Sequence, residues 1–100
     1  MLVAVCTRER ECARLPYVEL RAWTLRLVAD PRWEGPWPVI AEGTPPGIDG
    51  TCVGRYIRYA STAPICVVPH ELAHMRSGEV AHGPRWEAWF LRLVGWLSEC

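Results

Sequence analysis

His70, Glu71 and His74 carry the strongest chemical signal in this chain. On an α-helix at about 100° per residue, His70, His74 and Glu71 fall at roughly 0°, 40° and 100° around the axis. Positions i and i+4 share a face, so two imidazoles meet at one point and a carboxylate borders it. This is the H-E-x-x-H arrangement, in which two histidines hold a zinc ion and the glutamate serves as general base. Leu72 and Ala73 take the other side of the helix, where they can pack on a core. The sequence has one more histidine, His82, and no others.

A catalytic zinc takes three protein ligands and leaves the fourth position to water. His82 is the leading candidate for the third. Gly78 lies between it and His74. Glycine is the usual residue just past a helix end because it tolerates positive φ, so the metal helix is predicted to stop near Ser77. The chain can then double back and bring His82 under the metal. Pro84 suits the first position of a new helix. Glu79 in the turn and Glu87 in the next helix are rival ligands, for which solvated carboxylates are the preferred reading.

The run H-E-L-A-H, a short turn, then H-G-P-R-W resembles the SprT-like minimal zincins. More closely, it resembles a family of small H-E-x-x-H metallohydrolases of high-GC bacteria and their phages, which carry H-E-L-A-H followed by H-G-P and an aromatic. The strong match covers residues 65 to about 90; the upstream half matches loosely. The resemblance implies that His70, His74 and His82 are zinc ligands and that Glu71 is the catalytic base. Trp86 stands where the family usually has phenylalanine. The implied fold class is α+β: a small zincin-like domain whose three- to four-stranded sheet packs on an N-terminal helix, the metal helix and a C-terminal helix. Residues 1–100 form a single such domain in this reading.

Composition sets further bounds. One hundred residues, half of them apolar, are enough for one small core, to which a bound metal adds stability. Eleven arginines balance eleven acids, while Lys, Asn and Gln are absent. The zero net charge gives no basic excess to support nucleic-acid binding. The five cysteines, Cys6, Cys12, Cys52, Cys66 and Cys100, form no C-x-x-C pair. The opening M-L-V-A-V-C-T-R-E-R lacks the features of a secretory leader, and no stretch has the length of a membrane span. The expectation is a cytoplasmic protein with free, buried thiols.

In chain order, residues 2–6 read as a short strand and 7–14 as a polar connection. Pro16 can open a helix running to about Ala29, with Val18, Ala22, Leu25 and Ala29 on one face, ended by Asp30-Pro31. Residues 31–38 form a proline and tryptophan loop, read as a cover for the core rather than an aromatic ligand wall. Residues 38–42 are a candidate strand and 43–50 a turn-rich surface loop. Residues 51–60 read as one strand with an irregularity at Gly54. Residues 61–64 turn the chain, and 65–68 run buried into Pro69, which can begin the metal helix. Residues 84–98 give the cleanest helix, with Trp86, Trp89, Phe90, Leu93, Val94 and Leu97 as its core stripe.

The expected chemistry is hydrolysis of a peptide bond by water activated on zinc, with Glu71 taking the proton. Tyr56, Tyr59, Arg58 and Arg76 are possible donors to the oxyanion. Residues 54–60 are the candidate sheet edge for an extended peptide or protein substrate. Two alternatives stand beside this reading. One is a non-catalytic module with a closed zinc site, completed by Glu79 or a cysteine. The other is a SprT-like protease acting on proteins bound to nucleic acid.

Overall fold

Alternation and turn chemistry account for the sheets, and prolines and glycines set the helix ends. The computed structural model describes residues 12–99. The strand expected at residues 2–6 lies outside that range. The elements in chain order are β1 (Arg14–Pro16), α1 (Tyr17–Val28), β2 (Val39–Glu42), β3 (Gly50–Val53), β4 (Tyr56–Tyr59), β5 (Thr62–Pro64), α2 (Val67–Ser77) and α3 (Pro84–Ser98). The fold is therefore α+β.

Pro16, extended at φ −70° and ψ 158°, leads directly into α1. The buried residues of α1 are Leu20, Thr24, Leu27 and Val28, a spacing of four, three and one that gives one face. The expected stripe through Val18 and Ala22 is not the buried one: Val18 is 69% exposed. α2 begins at Val67, two residues before Pro69. Proline is tolerated there because a first-turn N–H has no partner within the helix. α2 ends as expected at Ser77, with Gly78 left-handed at φ 71° and its N–H donating to the His74 carbonyl. Pro84 opens α3, and Leu93, Val94, Trp96 and Leu97 are its buried residues.

The main sheet has three strands in the order β2-β4-β3. β2 runs parallel to β4 and β3 antiparallel to it. In β4, Ile57 and Tyr59 are buried while Tyr56 and Arg58 face outward, the period of two expected of a half-covered strand. Cross-strand register places Ile40 and Cys52 on either side of Ile57. The expectation of one strand over residues 51–60 is corrected here. Gly54, at φ +60°, and Arg55 form a two-residue turn, and the run folds into a β3–β4 hairpin. That turn needs positive φ, which glycine supplies without strain.

A second, two-stranded sheet pairs β1 with β5 antiparallel, Leu15 opposite Ala63. Residues 62–64, expected as a turn, are thus a strand. The core gathers Leu20 and Leu27 from α1, Ile57 from β4, Leu72 from α2, and Leu93 and Leu97 from α3, all 2% exposed or less. The buried Tyr59 hydroxyl lies 2.7 Å from Thr24 Oγ1. Trp33 covers the core, 8% exposed, with its ring 5.9 Å from that of Trp89.

Cys12 and Cys66 are joined as a disulfide, with Cα atoms 6.3 Å apart. The reading of all thiols as free is corrected for this pair. Cys52 is a free thiol, and Cys6 and Cys100 lie outside the described residues. Among the described residues no helix is long and apolar enough to cross a membrane.

Candidate metal centre

Two of the three imidazoles sit on α2, and the third arrives on the loop from Gly78 to Gly83. The left-handed turn at Gly78 reverses the chain, and α3 begins two residues after His82. His82 Nε2 lies 3.2 Å from His70 Nε2 and 3.2 Å from His74 Nε2. The three ligand atoms all fall within 4.8 Å of one another, close enough to hold a metal ion. Ligands at the usual Zn–N distance of about 2.0–2.1 Å around a tetrahedral ion stand about 3.3 Å apart. The spacing of the ring nitrogens fits such an ion. His70 and His74 are half-buried and His82 is exposed, so the group opens to solvent on one side.

The imidazoles are prepared for ligation. His74 Nδ1 lies 2.8 Å from the Glu79 carbonyl oxygen. A carbonyl only accepts, so Nδ1 carries the proton and Nε2 keeps its lone pair. Burial, then the neighbouring His74 and His82, push the pKa of His70 down to about 4. His70 is therefore neutral near pH 7, the form that binds metals. Trp86 backs the cluster: its indole N–H donates to the His70 carbonyl at 3.1 Å. Its ring centroid lies 4.4 Å from that of His82, 5.1 Å from His70 and 5.6 Å from His74. Trp86 also stacks on Phe90 at 4.8 Å. The expected core stripe of α3 thus divides: its N-terminal turns face the imidazoles and its C-terminal turns fill the core.

Glu71 borders the cluster as its helical position requires. Its Oε2 lies 4.0 Å from His70 Nε2, and the residue is only 5% exposed. It faces a cleft of about 430 Å³ whose walls include His70, His74, Gly50, Cys52, Arg55 and Met75. Burial, then the charge of Glu71, push the Cys52 thiol up to about 11, so it stays protonated near pH 7.

Among the described residues the rival ligands do not join the metal group, although Glu79 lines the cleft. Glu79 Oε1 accepts the backbone N–H of Trp86 at 2.7 Å, and Glu87 is exposed on α3. No cysteine joins the metal group among the described residues. The four possible oxyanion donors do not line the cleft. Tyr56 and Arg58 face outward from β4, and Tyr59 is buried against Thr24. Arg76 stacks over Trp89 at 4.8 Å. Arg55, which sequence reasoning passed over, does line the cleft. Its signal was the glycine before it: Gly54-Arg55 read as a hairpin turn would have set it apart from the strand.

Compared with known proteins, the chain matches no protein-family model, no curated protein and no solved structure.

Proposed function

We propose that this chain is a zinc-dependent metallohydrolase of zincin-like arrangement whose substrate is a peptide bond. The observation that carries the reading is the convergence of three Nε2 atoms beside a buried carboxylate: His82 stands 3.2 Å from both other imidazoles, and Glu71 4.0 Å from His70. His70, His74 and His82 would hold the ion. Zinc bound there supplies Lewis-acid chemistry, acidifying water and polarising a carbonyl.

The protein's own residues supply the rest. Glu71 accepts the proton of the attacking water and passes it to the leaving nitrogen. Its burial beside Gly50 of β3 would hold it in place for both transfers. His70, His74 and His82 would remain as ligands throughout.

An extended substrate needs a sheet edge. Residues 56–59, the heart of the expected edge, lie in the middle of the sheet, so that expectation is corrected. β3 is the edge strand beside α2, and its Gly50 and Cys52 line the cleft. An extended peptide would pair with β3 through main-chain hydrogen bonds. The metal group among the described residues has three members rather than four, which favours an open catalytic site over a closed structural one.

The test is metal analysis of purified protein, with a general peptidase assay on wild type and Glu71→Gln. One zinc per chain in both, and cleavage by wild type alone, is the expected result. Equal cleavage by both proteins would remove Glu71 from the mechanism and the reading with it.

A further inference from the structure

The loop that delivers His82 has one acidic residue, and three bonds engage it. Glu79 N–H donates to Ser77 Oγ at 3.1 Å, anchoring the loop to the end of α2. Its carbonyl accepts His74 Nδ1–H at 2.8 Å. Its carboxylate accepts the N–H of Trp86 at 2.7 Å, anchoring the loop to the start of α3. Trp86 is the third residue of α3, so this N–H has no partner within the helix. The residue before the helix is Gly83, which has no side chain to cap it. A Cβ on Gly83 would lie 3.0 Å from Glu79 Oε2 and 3.1 Å from Oε1. The glycine therefore leaves the room that the carboxylate occupies.

We propose that Glu79 is the positioning residue of the metal centre: its side chain locks the loop so that its own carbonyl orients His74 and the following residues present His82. The proposal rests on the metal-binding reading of the three histidines. A mutation cannot remove the carbonyl, but it can release the loop that holds the carbonyl in place. The same bonds engage the Glu79 carboxylate with the start of α3, and it is not one of the residues that would hold the ion. Negative charge at the start of α3 is also favoured by the helix dipole.

The experiment measures zinc affinity by competition with a chromogenic chelator, for wild type, Glu79→Gln, Glu79→Ala and Gly83→Ala. The visible spectrum of each cobalt(II)-loaded protein and the thermal melt of each metal-free protein are recorded alongside. Losing an outer-shell partner of a metal ligand weakens binding ~10- to 100-fold, and Glu79→Ala is expected to fall in that range with an altered cobalt spectrum. Glu79→Gln keeps an acceptor oxygen for Trp86 and should bind within about threefold of wild type. Gly83→Ala leaves Glu79 chemically intact but displaces its carboxylate, and should weaken zinc in the same direction as Glu79→Ala. Wild-type affinity and an unchanged cobalt spectrum in Glu79→Ala would overturn the proposal. Should Glu79→Ala fail to fold, unchanged affinity in Gly83→Ala would overturn it equally. A wild type that binds no zinc would instead defeat the metal-binding reading itself, and this proposal with it.

Discussion

Gly50 lies flush against Glu71: a Cβ added to the glycine would stand 3.1 Å from both Cγ and Oε2 of Glu71 and 2.7 Å from Val67 Cγ2. The absence of a side chain at Gly50 is thus what lets β3 approach α2 at the level of the carboxylate. Gly50→Ala should cost about 1–3 kcal/mol in stability, as overpacking does. It should also lower kcat by displacing Glu71, while zinc affinity stays at the wild-type value. Steady-state kinetics and a zinc titration on the same preparation separate the two effects.

His82 and Glu71 should part company in metal binding. His82→Ala removes one of the three candidate ligand nitrogens and is expected to weaken zinc by more than the ~10- to 100-fold that loss of an outer partner costs. Glu71→Gln should leave affinity intact and abolish turnover. Equal zinc affinity in His82→Ala and wild type would remove His82 from the ligand set.

The buried hydroxyl pair gives an asymmetric prediction. Thr24 Oγ1 donates to the Leu20 carbonyl at 2.8 Å, so its single proton is taken and Tyr59 must donate to Thr24. Tyr59→Phe loses one hydrogen bond, about 1 kcal/mol. Thr24→Val strands the Tyr59 donor in the core and should cost about 1–3 kcal/mol. Urea unfolding of both variants checks the order.

Arg32 links the end of α1 to the end of α3 by bonding Asp30 at 2.7 Å and Glu99 at 2.9 Å. Its hydrogen bonds to Asp30 hold that carboxyl at about 2, below its usual 3.8. A lowered folded-state pKa makes the stabilisation complete above the unfolded value and lost as pH falls from about 4 towards 2. The stability of the wild type should therefore decline in that window, and less steeply in Asp30→Asn. Denaturant midpoints between pH 5 and 2 measure both slopes.

The Cys12–Cys66 bridge spans 54 positions. Closing a loop of that size lowers the entropy of the unfolded chain, a stabilisation on the order of 4 kcal/mol. Reductant should lower the unfolding midpoint of wild type and leave that of Cys12→Ser unchanged. Equal midpoints for wild type with and without reductant would show that the bridge does not form in solution.

Local signals carried much of this architecture. Gly78 and Pro84 mark the end of one helix and the start of the next, and together they bring His82 back to the other two histidines. The reach of Glu71 followed from helical geometry alone. Pairings distant in sequence were hidden. Leu15 meets Ala63 across nearly half of the chain, and three-residue strands containing proline look like turns. Residues 51–60 form a β-prone run interrupted only at Gly54, so the hairpin at Gly54-Arg55 passes for a single strand. That reading placed β4 at the edge and hid β3. The four suggested oxyanion donors were chosen by residue type; the facing of β4 excludes Tyr56, Arg58 and Tyr59, and stacking on Trp89 excludes Arg76.

Trp86 is the tryptophan whose ring meets all three imidazoles, at 4.4 to 5.6 Å, with its N–H tied to α2. A divalent cation held there would be a large local charge, and it would act on that indole directly. The molecule therefore carries its own optical gauge: filling of the centre should register as a change in emitted light, without any attached dye, and Trp86→Phe should silence the signal.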